Sequence, residues 1–349
     1  MRDAKNCARF RTCRAMNAPL PPRKTLAWNG VSLQVPRSWD SAEFQAFALS
    51  VAGRDGQGLD LRWARTKGSF DPQAHLARVA AAMGPGAVAD PDPAALPPGW
   101  AGAGQALAAA GLAVLPFAWR AGDGAGPGAV LHNPATGLAA LARFTLPGPA
   151  PEQDMATALA VLDSLGDHPP GGPVPWAAFG VTAVVPGDLE LRAFSFTPGH
   201  FRLTLAAPHT GCELVLDRLG PADALLGRRT LAQYADAFYG TLGAPEGFFS
   251  EAPASAPGLP EAAPDAPDAP PPGAAPARAP EPDMVAGSGF RPAPLLARLL
   301  RRPWPGARRG RLWRAGIGAM LLGAFMRAPR ERDLEAFEAI CRDYALDRP

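Results

Sequence analysis

Lysine is scarce in this chain. Only three lysines, at positions 5, 24 and 67, stand among its 34 basic residues, and arginine accounts for the others. Together with 38 glycines and 42 prolines, this usage is typical of a GC-rich coding sequence rather than of nucleic-acid chemistry. The formal net charge of +2 is too small to indicate a class of partner. Composition therefore gives no argument for a polyanionic ligand such as RNA or DNA.

Cysteines and long apolar runs are scarce too. Cys7, Cys13, Cys212 and Cys341 are scattered, and no two have the C-x-x-C spacing of a zinc knuckle or a redox site. Isolated thiols suit a reducing compartment. No apolar run approaches the roughly 20 residues of a membrane-spanning helix, and the first residues lack the apolar core of a signal peptide. We expect a cytoplasmic protein.

The common catalytic motifs are missing. The sequence contains no Gly-Lys dipeptide of a P-loop, no H-E-x-x-H helix and no G-x-S-x-G elbow. The glycine-rich run at residues 122–128 (GDGAGPG) precedes a predicted strand, whereas a dinucleotide site needs a helix there. We interpret that run as a hairpin loop. The sequence predicts no catalytic residues, no cofactor and no metal.

His209 and Cys212 are the one local pair with potential reactivity, because a neighbouring imidazole can lower the pKa of a thiol. An enzyme would need His200, His209 or Cys212 to meet a carboxylate. The run at residues 208–211 (PHTG) is also typical of a tight turn between strands. In that interpretation, which we favour, His209 lies at an exposed tip and Cys212 is a small buried residue at the start of the next strand.

A short motif occurs twice. Residues 30–36 read GVSLQVP and residues 180–186 read GVTAVVP, with Trp28 and Trp176 shortly before them. Both stretches alternate apolar with small or polar residues and stop at proline, which predicts strands with one buried face. The match continues with further predicted strands, capped helices and closing helices, as follows: strands at 59–63 and 214–218, helix caps at Asp71 and Thr230, and closing helices at 151–165 and 330–344.

The repeat predicts an α+β protein with two similar domains, each a mostly antiparallel sheet layered with helices. We expect residues 1–24 to form a flexible N-terminal tail and residues 25–168 to form the first domain. The second domain combines residues 173–250 and 284–349. Between them, residues 251–283 hold 11 prolines and 11 alanines, so we predict a disordered acidic insertion.

The order of these features resembles a known domain family. The pattern G-V-x-L-x-V-P at residues 30–36, followed by Trp39, an L-x-L-x-W strand at 59–63, a helix, more strands and a final helix, resembles the PsbP-like or DcrB-like α/β sandwich. The resemblance implies an accessory, adaptor or chaperone module without catalysis. It carries no functional residue over to this chain.

An arginine-rich stretch is the strongest candidate for a binding surface. Residues 291–332 hold 11 arginines and a single acid, Glu331, around an apolar run at 315–326. The arginines would bind a protein partner or an anionic membrane surface. Phosphate binding in a nucleic acid is the weaker alternative, and the remaining interpretation is loop and edge charges around core strands. The candidate partner-binding residues are Arg301, Arg302, Trp304, Arg308, Arg309 and Arg311.

Function is the least determined property. The sequence favours a non-catalytic binding, adaptor or chaperone-like protein. The alternatives are a peripheral membrane protein that uses residues 291–332, or an enzyme whose site lies between domains and has no recognisable motif.

Overall fold

The computed structural model describes residues 20–147, 152–251, 284–290, 306–316 and 319–347. Over these residues helices combine with antiparallel sheets, which confirms the predicted α+β class. The chain folds into two compact units, residues 1–27 with 31–167 and residues 28–30 with 168–349. Most of the predicted tail and almost all of the predicted insertion lie outside the described residues.

The first part of the chain forms strands β1 to β10 and helices α1 to α3. In chain order these are β1 (Arg23–Trp28), β2 (Val31–Pro36), β3 (Asp40–Gln45), β4 (Ala48–Ala52), β5 (Gly58–Arg65), α1 (Pro72–Ala82), β6 (Val88–Asp90), a 3-10 helix (Trp100–Gly102), α2 (Gln105–Ala109), β7 (Ala113–Ala121), β8 (Gly124–Asn133), β9 (Leu138–Thr145), α3 (Glu152–Leu162) and β10 (Gly166–Asp167). Seven strands form one antiparallel sheet in the order β3-β4-β5-β9-β8-β7-β6.

The second part repeats this arrangement. Its elements are β11 (Pro173–Ala178), β12 (Val181–Pro186), β13 (Glu190–Thr197), β14 (His200–Ala207), β15 (Cys212–Leu219), α4 (Ala222–Leu226), α5 (Leu231–Gly240), β16 (Ser250–Glu251), β17 (Met284–Phe290), β18 (Ala307–Ala315), β19 (Met320–Ala328), a 3-10 helix (Glu331–Leu334), α6 (Phe337–Asp343) and β20 (Ala345–Leu346). Its seven-stranded antiparallel sheet has the order β13-β14-β15-β19-β18-β17-β16. Position for position, this is the strand order of the first sheet.

The twice-written motif forms strands β2 and β12, as predicted. The tight turn before each strand has two residues with positive φ, Asn29 (44°) with Gly30 (87°) and Phe179 (53°) with Gly180 (75°). Two consecutive positive φ values are the signature of the type I′ hairpin turn, whose twist matches that of the strands it joins. The glycine of each motif therefore serves a hairpin turn.

Helices α1 and α5 each lie on one face of their seven-stranded sheet. The side chain of Asp71 accepts hydrogen bonds from the backbone N–H groups of Gln73 and Ala74, and Thr230 forms a capping box with Gln233. Both predicted caps are confirmed. Leu76 of α1 packs into the core of its sheet, as do four residues of α5 (Leu231, Tyr234, Ala235 and Tyr239).

Four sequence expectations need correction. β1 starts at Arg23, inside the predicted tail, and β8 starts at Gly124, inside the predicted glycine loop. The predicted helix 330–344 is a 3-10 turn followed by the short helix α6, although its apolar residues Leu334 and Phe337 are buried. The short helix α2 was not predicted, because its residues belong to an alanine-rich run that has no polar face.

None of the helices described here is long and apolar enough to cross a membrane.

Candidate functional site

The predicted arginine surface is only partly described, since Arg301, Arg302 and Trp304 lie outside the described residues. Arg308, Arg309 and Arg311 belong to β18, which lies between β17 and β19 inside the sheet. They are therefore not the loop or edge charges of the alternative interpretation.

Acids neutralise two of these arginines. The Arg309 guanidinium lies 2.8 Å from the Glu331 carboxylate, and the Arg311 guanidinium lies 2.5 Å from that of Glu338. Arg308 is only 7% exposed. The sequence does not point to the second pair, because Glu338 stands beyond the arginine-rich stretch. The surface stays a prediction, with less available positive charge than the sequence indicates.

The second unit contains a buried charged cluster centred on Asp217. This residue of β15 is completely buried. Its carboxylate accepts hydrogen bonds from Arg202 Nε at 2.7 Å and from the Tyr239 hydroxyl at 3.2 Å, and it lies 2.7 Å from His200 Nε2. The Arg202 guanidinium also lies over the Phe238 ring, 5.0 Å from its centre. The Asp217 carboxylate thus contacts an arginine, a tyrosine and a histidine.

Only part of this cluster was visible in the sequence. The preceding Pro198-Gly199 favours an exposed turn at His200, but His200 begins β14 and meets the carboxylate that the enzyme hypothesis would require. Asp217 and Arg202 were not recognised. Their signal is an acid at the end of the apolar run Leu214–Leu216 in a predicted strand, because an acid that is buried with such a run must find polar partners.

Burial controls the ionisation of the cluster. Burial by itself lowers the pKa of Arg202, but the hydrogen bond and charge of Asp217 raise that pKa above its usual value. Burial, and then the charge of Asp217, raises the pKa of the Tyr239 phenol well above its usual range. Tyr239 therefore stays a hydrogen-bond donor at neutral pH.

The predicted reactive thiol has no such activation. Cys212 is buried at the start of β15, and His209 lies in the exposed turn before it. Burial raises the pKa of the Cys212 thiol to about 12, so the nucleophilic thiolate is suppressed at neutral pH. The geometry supports the turn interpretation of this stretch.

The first unit has a cleft where the second unit has its charged cluster. The cleft lies between α1 and strands β5 and β9, and its volume is about 840 Å³, within the range of small-molecule sites. Its basic lining residues come from four separate elements and loops: Arg62, Lys67, His75, Arg78 and Arg143. No acidic side chain lines the cleft among the residues that the structure describes.

The charges of the cleft differ in their availability. Arg143 forms an ion pair with Asp60, and its guanidinium lies 5.4 Å from the centre of the Trp119 ring. Arg62 lies 3.5 Å from the same Asp60 carboxylate, with 65% of its side chain exposed. Lys67 and Arg78 have no acidic partner among the described residues. Two cations thus have no acidic partner, and the single charge of Asp60 offsets only one of the two arginines that share it.

The remaining lining is largely apolar. Its apolar side chains include Trp63, Phe70, Val79, Met83 and Leu141. His75 lies against Phe70, with 5.3 Å between ring centres. Burial, followed by the charge of Arg78, lowers the pKa of His75 below its usual value of 6.5. The neutral imidazole can donate or accept a hydrogen bond.

Equivalent positions explain why one region is open and the other filled. Both sheets have a register shift at the same place, between Ser41 and Glu43 and between Leu191 and Ala193. Residues at the same distance along the chain or across the strands from these shifts, or from the two helix caps, occupy equivalent positions in the two units. The equivalent pairs are Ala48 with Arg202, Arg62 with Asp217, Ala80 with Tyr239, and Leu141 with Gly323.

In the second unit the Tyr239 side chain occupies the space between α5 and Gly323 of β19. A Cβ atom at Gly323 would collide with the Tyr239 hydroxyl, so glycine at this position makes room for the tyrosine. The first unit has Ala80 on the helix and Leu141 on the strand. With alanine in place of the tyrosine, no side chain from this helix position reaches across to the strand.

No protein-family model matches this chain, and no curated protein matches it in sequence. Within the described residues, no three His, Cys, Asp or Glu side chains are grouped to hold a metal ion.

Proposed function

We propose that this chain is a non-catalytic binding protein and that the cleft of the first unit binds an anionic small molecule. The observation that carries the proposal is the composition of the cleft. Four cationic side chains and a histidine converge on a space of about 840 Å³, and no described acid lines it. Arginine and lysine side chains in such a space recognise carboxylate and phosphate oxygens.

We further propose that the two units are copies of one domain related to the PsbP-like or DcrB-like sandwich. The identical strand order, the shared register shift and the two capped helices support the duplication, and the family relationship rests on the sequence pattern alone. Divergence of the copies then accounts for one open cleft and one filled region. An accessory module that binds a ligand without transforming it is consistent with such a family.

The arginine surface gains less support as the principal site. Arg309 and Arg311 line a smaller pocket of about 430 Å³, but Glu331 and Glu338 line it as well. Positive and negative charges are balanced there, so the pocket has no clear preference for an anion.

The test uses the fluorescent anion 8-anilinonaphthalene-1-sulfonate as the probe. We expect one site per chain whose affinity falls with added salt. Arg78→Gln and Lys67→Gln should each weaken binding about threefold, and the double variant about tenfold. Arg54→Gln is the matched control, because Arg54 is an exposed arginine of the same unit outside the cleft. Equal affinity in the double variant and the control would overturn the proposed site.

A further inference from the structure

We propose that the ligand of the cleft is an amphipathic molecule with one oxyanion head, a carboxylate or a phosphate, and a hydrocarbon body. This inference rests on the proposed function. It assigns the head to the end of the cleft near Lys67 and His75 and the body to the end near Met83.

The two ends follow from the path of the chain. β5 ends at Arg65, and α1 begins at Pro72 after a short loop that contains Lys67. The helix then runs back along the sheet, so that Met83 reaches Arg143, whose Nη1 lies 3.3 Å from the Met83 sulfur. His75 and Met83 are eight residues apart on this helical path, which corresponds to about 12 Å at 1.5 Å per residue.

The head end carries the available positive charge. Lys67 has no acidic partner among the described residues, and the same is true of Arg78, one turn beyond His75 on the same helix. The neutral imidazole of His75 adds a hydrogen-bonding group, and the hydroxyl of Ser69 lines the same end. A single oxyanion would meet two cations and two neutral polar groups there.

The body end is largely apolar, and its two arginines, Arg143 and the more exposed Arg62, share the Asp60 carboxylate. Val79, Met83 and Leu141 present aliphatic surface, with Ala82 beside them. Asp60 neutralises Arg143 at this end. A second anionic group would gain little here, whereas a hydrocarbon chain would lose contact with water. The thioether of Met83 adapts to chains of different length.

The experiment measures binding by calorimetry of octanoate, decanoate and dodecanoate, below their critical micelle concentrations. We expect affinity to rise with chain length by up to about fourfold per added methylene. Decanol should bind at least tenfold more weakly than decanoate. A comparison of dodecanoate with dodecyl phosphate shows which head group the cleft prefers. The ligand that binds more tightly identifies carboxylate or phosphate as the preferred oxyanion, and either result supports one oxyanion head.

Two variants assign the ends. Lys67→Gln/Arg78→Gln should remove the advantage of decanoate over decanol, and Met83→Gln should flatten the dependence on chain length. Equal binding of decanoate and decanol by the unmodified protein, or no dependence on chain length, would overturn the inference. Sulfonate-probe binding that responds to the cleft variants while the acids fail to bind rejects only this inference. Probe binding that ignores those variants rejects the proposed function itself.

Discussion

The sheet surface beneath α1 and the sheet surface beneath α5 have the same architecture and opposite contents. In the second unit Asp217, Arg202 and Tyr239 fill the space and satisfy one another. In the first unit Ala48 and Ala80 stand at the positions of Arg202 and Tyr239, and a cleft of about 840 Å³ remains. A handful of side chains therefore decides whether this architecture has a closed core or an open site.

The comparison also separates two uses of charge. Asp217 is completely buried, so its carboxylate requires partners that replace the lost hydration. Lys67 and Arg78 are exposed, so water hydrates their charged groups, which have no acidic partner among the described residues. The same kinds of group stabilise one unit and remain available for binding in the other.

Removing the centre of the cluster should have the largest effect. Asp217→Ala leaves the Arg202 guanidinium without its carboxylate and should lower the free energy of unfolding by about 3–5 kcal/mol. The measurement is urea denaturation. Asp223→Ala is the matched control, because Asp223 forms an ion pair with Arg314 at 2.9 Å but is 88% exposed, and such a pair contributes at most about 1 kcal/mol. Equal losses in the two variants would mean that burial does not distinguish these pairs.

Two tyrosines sharpen the account of the filled space. Tyr239→Phe removes a hydrogen bond to a buried carboxylate and should cost about 2 kcal/mol. Tyr344→Phe should be neutral or slightly stabilising, because the buried Tyr344 hydroxyl has no hydrogen-bond partner among the described residues. Thermal denaturation of both variants measures the difference. A larger loss for Tyr344→Phe would contradict the assignment.

Transplanting the filled pattern should close the cleft. The double variant Ala48→Arg/Arg62→Asp places a cross-strand arginine–aspartate pair where the second unit has Arg202 and Asp217. We expect binding of the anilinonaphthalene sulfonate probe to weaken about tenfold, which is about 1.4 kcal/mol, because the new arginine fills space and the new aspartate repels anions. Ala48→Arg alone adds a cation and should weaken binding less. Retention of full affinity in the double variant would show that the probe binds elsewhere.

The smallest effect concerns pH. The folded-state pKa of His75 is lowered by burial and by Arg78, while Lys67, Arg62 and Arg143 line the same cleft. As the pH falls below 6.5, the His75 imidazole is therefore protonated more readily in the unfolded chain than in the folded one. The free energy of unfolding then decreases as the pH drops toward the folded-state pKa. His75→Asn should show a smaller loss of stability on acidification, measured by urea denaturation at several pH values. His209→Asn, at an exposed turn, serves as control; an equal change there would contradict the role of burial.

Local patterns made much of the fold predictable. The twice-written motif predicted β2 and β12, and Asp71 and Thr230 predicted two helix starts, because strands and caps depend on neighbouring residues. The break in the helix predicted at 330–344 was not visible, since the apolar spacing of Leu334 and Phe337 suits a continuous helix equally well. Tertiary packing decides such cases.

The candidate site could not be predicted in the same way. Arg62, Arg78 and Arg143 come from a strand, a helix and another strand, and only the sheet order brings them together. The arginine-rich stretch attracted attention because its charges are close in sequence. Folding pairs Arg309 and Arg311 with acids, whereas it gathers the scattered cations of the cleft. Sequence proximity of charge was therefore a poor guide to available charge.

The glycine opposite Tyr239 constrains how this protein can evolve. No side chain can appear at Gly323 while the tyrosine stands, since even a Cβ would meet its hydroxyl. Losing the tyrosine first deprives Asp217 of a donor in a region that water does not reach. The substitutions that would reopen the second unit are therefore epistatic: each is harmful until another has occurred. The equivalent positions of the first unit, Ala80 and Leu141, have no such mutual dependence, so single substitutions can change its cleft.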